Sequence, residues 1–269
     1  MSVMVFTVLA LLGAPPSPPV DAARARPPLY STMRIDYTGS LLGLPMMRAT
    51  VQARLSGPRH SLRADFRSAG LAAMIKSLNV IAESQGIETV NGLQTLQYWH
   101  QENDGHKTRH VQMRYGDDAV QVNITPPLHS MGAPPASQTQ RLEAMDPLSA
   151  LLALTELAAD VSGRRCHGNI RVFDGKQRYD LKLESLGMSK VSSKVFSGAA
   201  EKCAVYYVPV AGFDGREVKD PSAYAKPVFM WLAAAAGTAR QVPVRFSFDA
   251  PVGRFIIKAR RLTLDESGE

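Results

Sequence analysis

Apolar and polar residues alternate with a period of two along much of this chain. Every second residue from Met47 to Leu55 is apolar, and the intervening residues 48, 50, 52 and 54 are polar. Gly57 and Pro58 then mark a turn, and the alternation resumes between Leu62 and Phe66. Because successive side chains of a β-strand point to opposite faces, these two segments are predicted to form a hairpin with one buried and one hydrated face.

The same pattern recurs along the chain at similar spacing. Four further hairpins are predicted, each around a turn that contains glycine: 93–102 with 107–115, 169–173 with 177–183, 191–197 with 203–210, and 242–248 with 255–264. The turns of the last three are placed at 174–175, 198–200 and 249–253. Many short strands separated by such turns are typical of an all-β sandwich, barrel or curled sheet.

One segment, residues 146–160, has a helical pattern instead. Asp146 is a typical N-cap residue and Pro147 suits the first helical position. Apolar side chains surround almost the whole segment, and Leu148, Leu151 and Leu152 lie on one stripe. Such a helix should be buried, so we expect it against the concave face of the sheet. A second short helix is predicted at 71–80 and a loop at 126–137.

The amino terminus resembles a secretory leader. Residues 3–14 form an uncharged apolar run of twelve, which matches the core of a signal peptide and is too short to cross a bilayer. A proline-rich stretch and small residues around Ala22 and Ala25 follow. We therefore predict a leader at 1–25 and one β-rich domain at 26–269. The run has no Lys or Arg before it, and a buried amino-terminal strand or helix is the alternative.

Charge and motifs argue against several functions. The chain has 31 basic and 24 acidic residues, a net charge of +7, and its cations are spread thinly rather than interleaved with aromatic residues. This distribution does not indicate nucleic-acid binding, and it suits solubility or work near anionic lipid headgroups. The chain contains no G-x-S-x-G, S-x-x-K, H-E-x-x-H or phosphate-binding glycine motif. We expect no catalytic residues and no cofactor.

Three histidines, His100, His106 and His110, cluster around one predicted hairpin. If Asp104-Gly105 is a two-residue turn, His100 lies opposite Arg109, and this pair faces away from the other two histidines. His106 and His110 would be separated by about 13 Å along a strand. A shared metal site is therefore not expected.

The two cysteines, Cys166 and Cys203, are separated by 36 residues. In an exported protein an even pair suggests one disulfide, which would contribute about 3–4 kcal/mol. Two buried free thiols are the alternative.

A curled sheet around an apolar helix can form a pocket for an acyl chain. The candidate lining residues are large and apolar, and ordinary packing in the core is the alternative for the aromatic ones: Leu148, Leu151, Leu152, Trp99, Trp231 and Phe246.

Several fragments, in this order, resemble a known family. The most specific are DPLSALLAL (146–154), CHGNIRVFDGKQRYDLKL (166–183) and CAVYYVPVAGF (203–213). Over residues 31–264 the chain resembles the bacterial domain of unknown function 3108, a family of uncharacterised exported proteins. The resemblance implies a single curved or spiral antiparallel sheet, half-barrel-like, similar to that of lipoprotein-carrier proteins. It also implies a Cys166–Cys203 disulfide, and it transfers no catalytic residue.

Together these inferences predict a mainly β, non-enzymatic protein of the Gram-negative periplasm, with one buried helix at about 146–160. We expect it to bind a lipid-like or polypeptide component of the cell envelope and to contribute to envelope maintenance. No nucleic acid and no transmembrane segment in the mature chain are expected. One alternative is a structural or interaction protein that acts through its outer surface without a small ligand. An enzyme of unknown class is the other.

Overall fold

The computed structural model describes residues 32–75, 77–215, 222–234 and 240–265. The predicted leader at 1–25 lies outside the described residues. Thirteen strands form one sheet: β1 Thr32–Leu41, β2 Leu44–Ser56, β3 Arg59–Ser68, β4 Asn79–Thr89, β5 Gly92–Asn103, β6 Thr108–Tyr115, β7 Val120–Thr125, β8 His167–Phe173, β9 Arg178–Ser192, β10 Ser197–Ala211, β11 Val228–Ala234, β12 Gln241–Ala250 and β13 Gly253–Asp265. Four short helices accompany them: α1 Leu71–Ile75, α2 Gln138–Leu142, α3 Pro147–Ala153 and α4 Ser222–Ala225.

Every strand pair in the sheet is antiparallel, and nearly all pairs join strands that are neighbours in the chain. The exception is the first strand, β1, which pairs with the last, β13. The two edges of the sheet are consequently β7 and β8, which follow each other in sequence. This arrangement confirms the prediction of a mainly β protein with one curled antiparallel sheet. The sheet is not closed into a barrel.

The connection between β7 and β8 lies across the gap between the two edges. The Gln138 side chain accepts a hydrogen bond from the Val120 amide of β7, at 3.1 Å. Met145 donates its amide to the Arg171 carbonyl of β8 at 3.0 Å and accepts from the Phe173 amide at 2.9 Å. Part of each edge is thereby shielded from pairing with another chain.

The inner face of the sheet carries the largest hydrophobic cluster. It includes Ile35 and Tyr37 of β1, Met113 of β6, and Leu148 and Leu152 of α3. For the predicted hairpin at 47–66, the side chains that the period-two alternation predicts to be buried lie in or against this cluster, as at Val51, Ala53 and Leu62.

The sheet curls far enough to bring its two ends together. Gly175, in the loop between β8 and β9, lies against Val111 of β6, and a Cβ atom there would be 2.6 Å from Val111 Cγ1. Gly175 also has a φ of +105°, which disfavours other residues. The Asp174-Gly175 turn therefore serves both the hairpin and the closure of the core.

The predicted helix at 146–160 is wrong in length, because α3 ends at Ala153. Thr155 donates its amide to the Leu152 carbonyl at 2.8 Å, and its hydroxyl donates to the same carbonyl at 2.7 Å. These contacts tighten the last turn, and the chain then departs towards Cys166. The cap is as predicted, with Asp146 at the N-cap and Pro147 in the first turn.

Two further boundaries differ from the prediction. The helix expected at 71–80 is only α1, because residues from Asn79 onward pair with β3 as strand β4. The turn between β9 and β10 is at 193–196 rather than 198–200. There Ser193 Oγ accepts from the amides of Val195 and Phe196, at 3.2 and 3.1 Å. Side-chain capping by serine outweighs the glycine signal at Gly198.

Candidate functional site

The interior leaves little space between α3 and the sheet. Leu148, Leu151 and Leu152 line an apolar crevice with Met33 and Ile35, and its volume is about 20 Å³. A cavity of this size has room for about one water molecule. An acyl chain does not fit into the crevice as it stands.

The three aromatic candidates lie in three different places. Phe246 packs in the core, where its ring meets the edge of Tyr37 at 6.1 Å between centroids. Trp231 lies on the opposite face of the sheet, in a small cluster with the tip of the β9–β10 hairpin, and donates to Ser189 Oγ at 2.7 Å. Trp99 also faces outward, where it lines a surface groove. Neither tryptophan lines the crevice beside α3.

A buried polar network anchors the amino end of α3. The Asp146 carboxylate is fully buried and accepts five hydrogen bonds. Oδ1 accepts from the amides of Leu148 and Ser149, at 2.8 and 3.1 Å. Oδ2 accepts from the hydroxyls of Ser84, Thr95 and Ser149, at 2.7, 2.7 and 2.5 Å. All three hydroxyls donate to the same carboxylate oxygen. Because Ser84 lies on β4 and Thr95 on β5, these hydrogen bonds attach the amino end of α3 to both strands.

His60 lies near this network but does not join it. It is 4% exposed, and neither ring nitrogen bonds a described residue. Burial lowers the pKa of His60, although the carboxylates of Asp146 and Glu88 oppose the shift. We therefore expect the imidazole to be neutral near pH 7. Burial also disfavours the charged form of Asp174, at the other end of the core, and therefore raises the pKa of this carboxyl group.

The histidine hairpin has a different register from the one expected. Its loop has four residues, 104–107, because Asp104 Oδ1 accepts from the amides of His106 and Lys107, at 3.1 and 2.8 Å. His100 is consequently opposite Val111 on the inner side, whereas His110 lies on the outer face beside Trp99. Burial, together with the nearby charges of Arg109 and His110, lowers the pKa of His100 to about 4.

Cys166 and Cys203 form a buried disulfide with 5.7 Å between their Cα atoms. It joins the residue before β8 to the middle of β10. The buried carboxylate of Glu201 lies beside it and accepts from the amides of Arg165 and Cys166 and from Ser185 Oγ, the last at 2.7 Å. The carboxylate satisfies backbone donors that the start of β8 would otherwise leave unpaired.

Cations gather on the outer face of four neighbouring strands. The register aligns Lys258 of β13 with Thr38 of β1, Thr38 with Arg48 of β2, and Arg48 with Arg67 of β3. Arg260 and Arg261 of β13 lie beside this row. We call the outer surface formed by these residues the basic face, and it comprises Arg34, Arg48, Arg63, Arg67, Lys258, Arg260 and Arg261.

Two open depressions of about 620 Å³ each lie on the basic face. Arg34, Arg48, Arg63 and Arg67 line the first. Arg260 and Arg261 line the second, together with residues of β1 and of the β9–β10 turn: Asp36, Thr38 and Lys194. Both are large enough to accept a ligand of small-molecule size.

Only part of this positive charge is neutralised. Asp36 pairs with Arg34 at 3.2 Å, Asp65 pairs with Arg67 at 2.8 Å, and Glu83 pairs with Arg63. Within the described part of the chain, the remaining cations of the basic face form no ion pair: Arg48, Lys258, Arg260 and Arg261. Unpaired cations around open depressions attract anions by Coulomb interaction.

The first depression continues across the outer face towards β6. A depression of about 240 Å³ adjoins it and shares Gln52 and Arg63 with it. A further depression, of about 180 Å³, shares Glu83 and Gln85 with the depression of about 240 Å³ and extends to Trp99 and Arg114. We call this row of three adjoining depressions the outer groove; it begins at Arg48 and ends at Arg114.

Sequence reasoning missed both the basic face and the outer groove. The cations are dispersed in the sequence, at positions 34, 48, 63, 67, 258, 260 and 261, and only strand register brings them together. The polar positions of the predicted hairpin at 45–67 carry three arginines of the basic face, Arg48, Arg63 and Arg67, and these were the available signal.

A thirteen-stranded antiparallel sheet, curled around a short helix and crosslinked by one disulfide, defines a barrel-like β-protein. The chain belongs to the family described as Protein of unknown function (DUF3108), whose model matches residues 32–260. No curated protein matches it significantly. Among the described residues, no helix has the length and apolar character needed to cross a bilayer.

Several solved structures resemble the chain, among them two that cover most of its length. The first is a β-barrel-like protein of the domain of unknown function DUF1849 from Brucella abortus, with 9% identity and a TM-score of 0.50. The alignment covers 89% of this chain and all of that one. The second is the hypothetical protein CT021 from Chlamydia trachomatis, with 10% identity, a TM-score of 0.31, and coverage of 87% and 89% of the two chains. The first similarity supports the fold alone.

Proposed function

We propose that this is a non-enzymatic, exported envelope protein that binds an anionic envelope component on its basic face. The observation that carries the proposal is the group of unpaired cations around two open depressions. The interior crevice, at about 20 Å³, favours binding at the outer surface over a lipid held inside. The proposal thus follows the surface-interaction alternative of the sequence analysis.

The Cys166–Cys203 disulfide supports export, because disulfides persist in oxidising compartments such as the periplasm. The apolar run at 3–14 supports it independently. To test the location, the protein is released from its own host by osmotic shock and its amino terminus is identified by mass spectrometry. Cleavage near residue 25 and protection of both thiols from alkylation are expected. Intact, cytoplasmic protein with two reactive thiols would contradict export.

A binding rather than catalytic role is supported by the state of the buried polar groups. The Asp146 carboxylate is saturated by donors from α3, β4 and β5, and the two ring nitrogens of His60 bond no described residue. The hydroxyls that donate to Asp146 are buried with it, at 2% exposure or less, so no substrate reaches them in this fold, and His60 bonds no hydroxyl or thiol among the described residues.

Two double variants with the same net charge test the basic face. Arg48→Glu/Arg261→Glu reverses two of its unpaired cations. Lys107→Glu/Arg164→Glu reverses two exposed cations in loops elsewhere. The probes are sulfated dextran and phosphatidylglycerol vesicles, with neutral dextran and phosphatidylcholine vesicles as controls.

At about 1 kcal/mol for each basic residue near an anionic surface, we expect the first double variant to bind at least one anionic probe about 30-fold more weakly. The second double variant should keep most of the affinity, and salt should weaken all binding. Equal losses in the two double variants would mean that net charge, not the basic face, determines binding.

A further inference from the structure

We infer that the outer groove binds a glycan chain that carries anionic groups, with Trp99 as the platform for one sugar ring. The inference rests on the proposed function and names the chemistry of the anionic component. It is carried by the side chains at the two ends of the groove, which differ in composition: four arginines line one end, and three glutamines beside a tryptophan, with the single arginine Arg114, line the other.

Trp99 is placed to stack on a ligand. It lies on the outer face of β5, is only partly buried, and lines the third depression of the groove, of about 180 Å³. His110 lies beside it, with 6.3 Å between ring centroids. A tryptophan at such a site offers a rigid apolar surface next to water. A sugar ring has a matching face of C–H groups and a rim of hydroxyls.

Amide side chains surround this tryptophan. Gln85 of β4, Gln97 of β5 and Gln112 of β6 line the same depression. Their side chains make no hydrogen bond to any other residue in the described part of the chain. An amide both donates and accepts, and so does a hydroxyl, whereas a phosphate group at neutral pH mainly accepts. This end of the groove therefore suits a hydroxyl-rich ligand better than a lipid headgroup.

The groove also has the length for a polymer. From Arg48 on β2 to Arg114 on β6 it crosses four inter-strand spacings, about 19 Å. The paired side chains of Arg63 and Glu83 lie midway, in the depression of about 240 Å³. A chain of linked sugars could contact the amides at one end while its acidic substituents meet the unpaired Arg48 and the arginines beside it at the other. A flat bilayer surface would contact the rims rather than follow the groove.

The test uses the full mature protein and two probes, soluble peptidoglycan strands and phosphatidylglycerol vesicles. We compare Trp99→Ala, Trp99→Phe and Met188→Ala, which truncates another large, exposed strand residue on β9. Urea unfolding checks that each variant is folded. Trp99→Ala should bind the strands at least about tenfold more weakly, as expected for a central aromatic anchor. Trp99→Phe should retain most of the affinity, and Met188→Ala should not change it.

The outcomes separate the inference from the proposed function. If Arg48→Glu/Arg261→Glu weakens binding but Trp99→Ala binds strands as well as the unmodified protein, or if only vesicles bind and they do so through the basic face, the glycan inference is overturned and the proposed function stands. If neither strands nor vesicles respond to Arg48→Glu/Arg261→Glu, both fail. If strand binding depends on Trp99 and on the basic face, and vesicle binding does not depend on Trp99, both are supported.

Discussion

Replacing Asp146 by alanine tests whether the buried network holds α3 in the interior. The substitution removes the N-cap of α3, which is worth about 1 kcal/mol. It also removes the acceptor for the hydroxyls of Ser84, Thr95 and Ser149. Each buried hydroxyl that loses all partners costs about 1–3 kcal/mol.

The three hydroxyls would not all be orphaned. Ser84 Oγ and Ser149 Oγ are 3.1 Å apart and can bond each other, and Thr95 Oγ1 still accepts from the backbone amide of residue 146, also at 3.1 Å. Only two contacts join the hydroxyls to one another, Ser84–Ser149 at 3.1 Å and Thr95–Ser149 at 3.4 Å, so one of the three hydroxyl hydrogens has no acceptor. We therefore count the cap and one unsatisfied donor. Asp146→Ala should lower the free energy of unfolding by about 3 kcal/mol.

The assay is urea unfolding followed by tryptophan fluorescence, with the disulfide intact. Asp146→Asn separates the two contributions, because asparagine also caps helices but presents an amide nitrogen to the hydroxyls. We expect it to cost about half as much. Asp117→Ala, in the exposed turn between β6 and β7, is the control and should change little. A loss below about 1 kcal/mol for Asp146→Ala would refute the anchoring role.

The remaining predictions concern the crosslink, the histidine hairpin and the closure of the core. Cys166→Ser and Cys203→Ser should each cost about 4 kcal/mol in urea unfolding, because each opens the same 37-residue loop; clearly unequal losses would contradict this reasoning. The pKa of His100 is about 4 when folded and about 6.5 when unfolded, so the unfolded chain binds more protons below pH 6.5 and stability falls as the pH is lowered. From pH 7 to 5 this amounts to about 2 kcal/mol, and His100→Gln should remove it while His106→Gln, in the loop, should not. Gly175→Ala should destabilise by about 2 kcal/mol or more, and Gly163→Ala, with a φ of +78° but nothing within 4 Å of its Cβ position, by about 1 kcal/mol; similar effects would mean that contact with Val111 does not matter.

Nine of the thirteen strands could be predicted from the sequence, because their alternation of apolar and polar residues reflects the inner and outer faces locally, as at Val51 of β2 and Ala64 of β3. The other four, β1, β4, β7 and β11, were not predicted. The N-cap of α3 was equally local, since Asp146 and Pro147 are adjacent. The length of α3 could not be predicted from nearby residues, because its end depends on the path of the chain from Ala153 to Cys166. Nor could the pairing of β1 with β13, which joins residues more than 200 positions apart.

The candidate site was harder to predict for the same physical reason. A cavity was expected from apolar side chains, but the volume left between α3 and the sheet depends on how closely they pack, and packing is not encoded in any short segment. The basic face depends on the register of four strands, β1, β2 and β3 from the beginning of the chain and β13 from its end. Arg48 and Lys258 are close only because both flank Thr38.

The interior and the outer face are linked by this packing. The Asp146 network fixes α3 against β4 and β5, and α3 fills the space that a ligand inside the sheet would need. Since inner and outer side chains alternate along the same strands, the residues that close the core also fix the spacing of the outward cations and amides. The outer groove crosses β4 and β5 where Ser84 and Thr95 hold the helix. A loss of the Asp146 anchor should therefore reduce stability first and disturb the groove only through the fold, whereas Trp99→Ala should weaken binding with little change in stability.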